Sequence, residues 1–211
     1  MKIRNILLLT SILFFVLSSF RNYHFSPLEE IIQKVVPFSK ENSGVHVAYK
    51  VYDENESKKF LDYDLLSRDY LPIQFMIQNN TRLTYKVSLD SLSIPAESGS
   101  DAAVAVTISD AMPRSIGLKV AGFFFIPFMI PSLIDGLLTF TALHELKLDY
   151  IAKSLKEDGE YILPYSSVHR IAFVKKDNFD EKFTFTLDQY DCDVDFIEEI
   201  SFDSPSMGAL E

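Results

Sequence analysis

The residues of this chain that could do acid–base or metal chemistry are few, and none of them completes a known catalytic motif. His144-Glu145 begins like the helix of a zinc protease, but the second histidine of that motif would stand at the position of Leu148. The other histidines stand at positions 24, 46 and 169, and no two of the four have the spacing of a metal site. A hydrolase would need a site that only the fold assembles, for example from His144, Glu145 and Asp149.

A second candidate site is the acidic run in which Asp191, Asp193 and Asp195 alternate with other residues. On a strand these carboxylates would share one face, and carboxylate oxygens are ligands that Ca²⁺ prefers. The run is not an EF-hand loop, because Phe196 and Phe202 stand where that loop needs glycine and glutamate. The alternation is also typical of an exposed sheet edge that charge protects from aggregation. A calcium-dependent binding or adhesion module and a solvated edge therefore both remain open.

The composition narrows the classes of function. The chain has 211 residues with 20 Lys plus Arg and 30 Asp plus Glu, which gives a net charge of -10. This acidic balance argues against a nucleic-acid-binding protein, which needs basic surface to displace counterions. Cys192 is the single cysteine, which excludes an intramolecular disulfide and a multi-cysteine zinc site. We therefore expect no cofactor and no nucleic-acid partner, and the missing motifs predict a protein that is not an enzyme.

The N-terminus has the pattern of an export or anchor segment. Lys2 and Arg4 precede an uncharged, mostly apolar stretch over residues 6–20, which is typical of a secretory signal peptide. Bulky Phe20 spoils the cleavage site at the end of the stretch, so an uncleaved membrane anchor is an alternative, and a buried N-terminal helix is another. In an anchor or a signal peptide, the two basic residues would hold this end in the cytoplasm and leave the remaining chain outside it.

Residues 120–134 form the most unusual local composition, a stretch without any charge. It is shorter than the ~20 residues of a membrane-spanning helix, and Pro127 and Pro131 would each kink such a helix. Three interpretations remain open: a buried core element, an element lying in the bilayer interface, and a span or tight hairpin extended to Leu143. Contiguous aromatic side chains are rarely left in water, so contact with lipid or a partner is expected. The residues predicted to make this contact are Phe123, Phe124, Phe125, Phe128 and Met129.

Alternation of apolar and polar residues predicts β-strands. The predicted strands cover residues 45–52, 71–78, 83–89, 169–174 and 183–187, with a short edge segment at 92–95. Residues 79–81, Asn-Asn-Thr, predict a hairpin turn between the second and third of these strands. Residues 103–108 fit a strand or a helix equally well.

Helical spacing predicts three helices. They cover residues 27–36, capped by Ser26 and ended by Pro37; residues 58–66, after a polar turn at 53–57; and residues 132–156. The buried stripe predicted for the last helix comprises Leu133, Leu137, Phe140, Leu148, Ile151 and Leu155.

The order of several segments points to a family. A strand begins at Gly44-Val45, and then come residues 58–66, the strand and turn of 70–81, the hydrophobic insertion, and residues 148–155, 162–164 and 172–174. Over residues 44–188 this order resembles uncharacterised bacterial envelope proteins in which an Ig-like β-sandwich is interrupted by a hydrophobic insertion. Those proteins tend to carry a glycine-zipper insertion and a Pro-Gly turn, whereas here Pro164 is followed by Tyr165. The resemblance implies a fold and a place in the cell envelope, and no reaction.

These observations predict a mainly β fold, an Ig-like antiparallel β-sandwich with an inserted hydrophobic or helical segment and an N-terminal hydrophobic helix. Residues 1–24 would be a signal peptide or membrane anchor, and residues 25–211 a single β-rich domain with its insertion at about 116–157. We expect a structural or interaction protein of the cell envelope, with its domain on the extracytoplasmic side. Membrane lipid is the expected partner, and another envelope protein is a second candidate.

Overall fold

The described part of the chain is mostly β. The computed structural model describes residues 27–28, 38–106, 129–190 and 199–203. The chain divides into two compact units. The first comprises Phe25–Ala102 with Asp149–Glu211, and the second comprises Met1–His24 with Ala103–Leu148. The first unit contains two antiparallel sheets, and helical residues 103–106 and 129–148 are what the structure describes of the second.

Nine strands build the two sheets in the described residues. Sheet A has five, in the spatial order β1 (Phe38–Asn42), β2 (Val45–Val51), β3 (Tyr70–Asn79), β7 (Ser167–Lys175) and β5 (Ala96–Glu97). Sheet B has four, in the order β6 (Glu160–Ile162), β4 (Thr84–Val87), β8 (Thr184–Tyr190) and β9 (Glu199–Asp203). The mainly β prediction is confirmed, with strands at all five predicted positions.

A cluster of buried apolar side chains from both sheets forms the core of this unit. Strands β2 and β3 contribute every second residue, as their alternation predicts. Phe75 on β3 stacks on Phe185 on β8, with ring centroids 4.8 Å apart, so the cluster joins one sheet to the other. Burial of aromatic rings of this size supplies much of the free energy that holds two sheets together.

The predicted hairpin between the second and third strands is wrong. Strand β3 pairs with β2 and β7 in sheet A, whereas β4 pairs with β6 and β8 in sheet B. The chain therefore changes sheets at residues 80–83. Alternation of apolar and polar residues shows which face of a strand packs in the core. Strands β3 and β4 pack in the same core from opposite sheets, and two strands paired in one sheet would show the same alternation. The pattern therefore does not reveal which strands pair.

The first described helix, α1 (Glu54–Leu61), begins four residues earlier than predicted. Asp53 is its N-cap: the carboxylate accepts from the Glu56 backbone N–H at 2.8 Å, and the Glu56 side chain accepts from the Asp53 backbone N–H. This capping box satisfies N–H groups that a helix start leaves unpaired. Residues 53–57, predicted as a turn, are thus the cap and first turn of the helix.

The long helix, α2 (Met129–Lys153), starts and ends three residues before its predicted bounds. Its predicted buried stripe is wrong at Phe140, Leu148 and Ile151, which are exposed. Leu155 is buried as predicted, although it follows the helix. The side chains of Leu133 and Leu137 lie outside the described residues. The buried positions at the described end of the helix are Leu146, Asp149, Tyr150 and Lys153. These four positions also have helical spacing. Because two of them are charged, the hydropathy pattern does not predict them as the buried face of the helix.

Other segments differ from the prediction or lie beyond it. Residues 99–106 are helical, which resolves the ambiguity over 103–108 as far as the structure describes it. Strand β9 lies in the acidic tail, for which no strand is predicted, although buried Ile200 and Phe202 alternate with polar neighbours. The structure describes Pro27 and Leu28 of the predicted first helix, and neither is helical. The rest of that helix and residues 120–128 of the apolar stretch lie outside the described residues. Of the described helices, none is both long and apolar enough to cross a membrane.

The chain enters β7 through a turn that carries a strained tyrosine. The Ser166 N–H donates to the Leu163 carbonyl at 3.3 Å, Pro164 follows Leu163, and Tyr165 has a φ of 56°. This is the pattern of a type II turn, whose third residue needs a positive φ and is usually glycine or asparagine. A bulky side chain in this left-handed region is uncommon.

Replacing Tyr165 by asparagine is expected to raise the free energy of unfolding by up to about 1 kcal/mol, because asparagine tolerates the left-handed conformation. The tyrosine ring is 67% exposed, so little packing is lost. Tyr165→Val is the matched comparison, and we expect it to lower stability because β-branched residues avoid positive φ. Urea denaturation of both variants followed by circular dichroism measures the effect. Equal destabilisation by asparagine and valine would contradict the strain.

Candidate functional site

The buried polar groups of the described residues concentrate on the outer face of sheet A, meaning the face opposite the core. Gln74 and Phe173 point to this face and are fully buried. The Tyr52 hydroxyl donates to the Gln74 carbonyl oxygen at 2.6 Å, and the Tyr52 ring packs on Phe60 of α1. Helix α1 therefore lies over this face, and the buried Gln74 carbonyl oxygen receives a donor there, as buried polar groups require.

Tyr150 attaches the last turn of α2 to the same face. Its ring stacks on Phe173, with centroids 5.2 Å apart and planes 11° from parallel, and its hydroxyl donates to the Leu61 carbonyl at 3.0 Å. Gly99 lies against the backbone here: a Cβ at this position would be 2.4 Å from the Tyr150 carbonyl oxygen. The helix end thus sits between the sheet and residue 99, at a distance that only glycine allows.

Beside Tyr150 lies a buried ion pair. Lys153 Nζ is 2.6 Å from Asp149 Oδ2, and the two side chains are 5% and 1% exposed. The ammonium also donates to the Phe60 carbonyl at 2.7 Å, one of the carbonyls that the end of α1 leaves without an intrahelical partner. Burial lowers the pKa of Lys153 from its ordinary value of 10.5, and the hydrogen bond and charge of Asp149 and the charge of Asp62 oppose this effect.

This geometry fits a structural role better than a chemical one. A desolvated lysine amine is a possible nucleophile in principle. Here, however, the Lys153 ammonium donates to a carboxylate and a carbonyl, so it bridges α2 to α1. Because both charges are removed from water, loss of either residue would leave the other as an uncompensated buried charge. We interpret the cluster of Asp149, Tyr150 and Lys153 as the attachment of the end of α2 to sheet A.

A second polar cluster closes the edge of sheet A at β5. The Tyr70 hydroxyl donates to Glu97, and Lys175 Nζ lies 2.5 Å from Glu97 Oε1. Burial raises the pKa of Tyr70, and the hydrogen bond to Glu97 adds to the rise. The two-residue strand β5 is therefore fixed to β3 and β7 through its one acidic side chain.

The histidines are not brought together in the described residues. His46 on β2 and His169 on β7 point to the outer face of sheet A, but β3 lies between their strands. Two strand spacings separate them by about 10 Å, too far for a shared metal ion. His144 and Glu145 are exposed on α2, whereas Asp149 is held by Lys153. Within the residues that the structure describes, no group of three or more potential ligands could hold a metal ion.

Several predicted site residues lie outside the described residues, and their roles stay predictions. These are the acidic residues Asp191, Asp193 and Asp195 and the aromatic residues Phe123, Phe124, Phe125 and Phe128. Met129 is the first residue of α2, and its side chain is outside the description.

A third cluster, centred on Asn79, is one that sequence reasoning misses, because this residue fits a turn and a formal glycosylation sequon. The Asn79 side chain is fully buried, and its amide donates to the Leu83 carbonyl at 2.7 Å and the Leu163 carbonyl at 3.0 Å. Its carbonyl oxygen accepts from the backbone and the hydroxyl of Thr81 at 2.9 and 2.7 Å. One side chain thus joins the loop between β3 and β4 to the turn before β7.

Comparison of the chain with known proteins identifies no family. No family model, no curated protein and no solved structure matches it. The resemblance to envelope proteins therefore stays a prediction that depends on the order of the segments. A proposal for the function therefore depends on the geometry of the described residues and on two apolar stretches of the sequence, residues 6–20 and 120–134.

Proposed function

We propose that the protein is a non-enzymatic component of the cell envelope, held at the membrane through its N-terminal segment, with a structural or interaction role. Residues 6–20, preceded by Lys2 and Arg4, are the observation that carries the proposal. A basic start followed by an uncharged apolar stretch directs export and orients the chain with its N-terminus in the cytoplasm. The domain then lies on the extracytoplasmic side.

The described fold supports the finer part of the proposal, an Ig-like β-sandwich. Two antiparallel sheets share a core, and the chain passes from one sheet to the other between β3 and β4. Such changes of sheet along the chain are a property of Ig-like sandwiches. Small sandwiches of this kind serve in many proteins as binding modules, with their loops at the two ends of the strands.

The polar clusters support a non-enzymatic role. Lys153, Asp149, Tyr70 and Glu97 each have partners that hold helices or edge strands in place. A catalytic site instead needs a perturbed group that a substrate can reach. The Lys153 side chain, whose pKa is perturbed by burial, is 5% exposed.

Cell fractionation with charge variants tests the anchor. The full-length protein is expected in the membrane fraction, with a C-terminal tag that protease digests in spheroplasts. Two lysines in the middle of the stretch, Leu9→Lys and Phe14→Lys, should abolish this localisation, because each charge at the centre of a span costs about 3 kcal/mol. The control places the two lysines at its end, Ser18→Lys and Ser19→Lys, and should leave localisation unchanged. A full-length protein found wholly in the cytosol would contradict the proposal.

Deletion of residues 116–143 separates the two contacts proposed for the apolar insertion. Proteins captured from detergent-solubilised membranes by the full-length chain, but lost on deletion, would indicate that the insertion docks on a partner. Unchanged capture with weaker pelleting of the membrane-bound chain would indicate contact with lipid. Deletion that changes neither property would contradict a contact role for Phe123, Phe124, Phe125, Phe128 and Met129.

A further inference from the structure

The chain leaves the first compact unit and returns to it at neighbouring points. That unit, residues 25–102 and 149–211, is called the sheet unit below. Strand β5 reaches Phe173 on the edge of β7 that faces away from β3, and after the insertion Ser154 bridges to Ile171 on the same edge. The exit and the return are therefore two residues apart along one strand, a distance of about 7 Å.

Close backbone packing holds these two points together. A Cβ at Gly99 would lie 2.4 Å from the Tyr150 carbonyl oxygen and 2.7 Å from Ser154 Oγ, so the departing chain touches the returning one. The Leu155 N–H donates to the Ile171 carbonyl at 3.0 Å, which fixes the returning chain on β7. Chain ends that lie close together are the condition under which one domain tolerates the insertion of another.

The core of the sheet unit is built from its own residues. Every residue of the buried apolar cluster, and every partly buried residue packed against it, lies within residues 45–96 or 155–202. The hydrogen bonds that attach the end of α2 also stay within this unit, because Lys153 and Tyr150 donate to carbonyls at the end of α1. A unit that has its own core has what it needs to fold alone.

We propose that the sheet unit is a self-sufficient folding domain and that residues 103–148 are a separable module inserted at the edge of β7. The module contains the apolar residues 120–134, so the contact surface can be removed or exchanged without loss of the fold. What this surface touches rests on the proposed function, whereas the separation of fold and contact does not. Removing the module also costs little chain entropy, because its two ends are already held together.

Replacement of residues 107–142 by a linker of twelve glycine and serine residues tests this inference in the otherwise full-length chain. The helical residues that remain on either side, 99–106 and 143–150, each rise about 12 Å from the point where the chain leaves or returns. Twelve extended residues reach about 40 Å, so the linker joins the two free ends in any arrangement. We expect the midpoint of urea denaturation, followed by circular dichroism in detergent, to change by less than about 0.5 M.

The matched control replaces residues 54–69 of the sheet unit by the same linker. These residues join β2 to β3, which pair with each other, so their ends also lie close together. They include the buried side chains of Phe60, Leu61 and Leu65, and the two carbonyls that accept hydrogen bonds from the end of α2. Loss of this much buried surface should lower the urea midpoint of the control by more than about 1 M.

Hydrogen exchange of the unaltered full-length chain gives a second measurement that does not depend on a variant. Amide exchange is followed at rising urea concentrations below the unfolding transition. Amides of β3 and β7 should share one urea dependence, and amides of α2 over residues 130–146 should follow a different one. One common urea dependence for α2 and both strands would overturn the inference, because the two units would then unfold as one.

The outcomes separate this inference from the proposed function, because the linker variant keeps the N-terminal segment. A linker variant that is unfolded, or whose urea midpoint falls as far as that of the control, would overturn the inference and leave the membrane anchor standing. A stable linker variant that is found wholly in the cytosol, as is the full-length protein, would support the inference and overturn the proposed function.

Discussion

Replacing Lys153 by methionine is expected to lower the free energy of unfolding by about 3–5 kcal/mol. Methionine keeps the length of the side chain but removes the charge, which leaves the Asp149 carboxylate buried without its cation and the Phe60 carbonyl without this donor. An uncompensated buried charge costs far more than a lost surface contact. Urea denaturation of the detergent-solubilised full-length chain, followed by circular dichroism, gives the value.

The control is Lys156→Met, the same substitution at a half-exposed lysine whose distance to Glu160 is 3.7 Å. We expect it to change stability by no more than about 0.5 kcal/mol, as for most surface substitutions. The double variant Lys153→Met with Asp149→Leu should recover most of the loss, because it removes both charges instead of one. A double variant as unstable as the sum of its parts would contradict a paired role for these residues.

The pH dependence of stability gives an independent check on the same lysine. Burial lowers the pKa of Lys153 below its ordinary value of 10.5, so the unfolded chain holds this proton more tightly than the folded chain. Between the lowered pKa and 10.5, the contribution of this group to the free energy of unfolding therefore rises with pH. The difference in stability between wild type and Lys153→Met should grow over that interval. A constant difference would contradict the lowered pKa.

Replacing Asn79 by aspartate is the second substitution with a large expected effect, a loss on the order of 3 kcal/mol or more. The aspartate keeps the acceptor for Thr81 but replaces the amide donor by a second oxygen, which then faces the Leu83 and Leu163 carbonyls. Two carbonyls lose their donor, and a buried carboxylate takes its place without a cation. The loop between β3 and β4 and the turn before β7 would lose the side chain that joins them.

The chain provides a matched control one residue away. Asn80 is exposed, and its side-chain carbonyl oxygen accepts from the Gln78 amide at 3.0 Å. Asn80→Asp retains that acceptor and should cost less than about 0.5 kcal/mol. Thermal denaturation of both variants, with hydrogen exchange of residues 80–84 and 163–167, measures the global and the local effect. Similar stability of the two variants would show that Asn79 does not hold this loop and this turn together.

Five of the nine described strands could be located from the sequence, because alternating apolar residues mark the face that packs in the core. Every second residue of β2 and β3 is apolar, and the structure buries those residues in the core. Pairing was harder to predict, since β3 and β4 show the same alternation as a hairpin but belong to different sheets. The side chain of Asn79 holds the loop through which the chain changes sheets. Asparagine is also common in turns, so its presence does not distinguish this loop from a hairpin turn.

The polar clusters were beyond sequence reasoning for a related reason. Lys153 and Asp149 stand at a spacing of four, which on an exposed helix is a common and weak ion pair. Their importance comes from burial against sheet A, and that depends on contacts with Phe60 and Phe173, about 90 and 20 residues away. The exposed Tyr165 did leave a signal, because it follows proline where a glycine was expected. That departure marks the strained turn.

Flotation of the purified full-length protein with liposomes shows whether apolar segments of the chain hold a folded β unit on a bilayer. Detergent is removed in the presence of phosphatidylcholine vesicles, and the mixture is centrifuged through a density gradient after an alkaline carbonate wash. We expect the folded protein to rise with the vesicles and the variant Leu9→Lys with Phe14→Lys to stay at the bottom. A monomer that remains in solution apart from the vesicles, with residues 6–20 and 120–134 intact, would rule out this attachment.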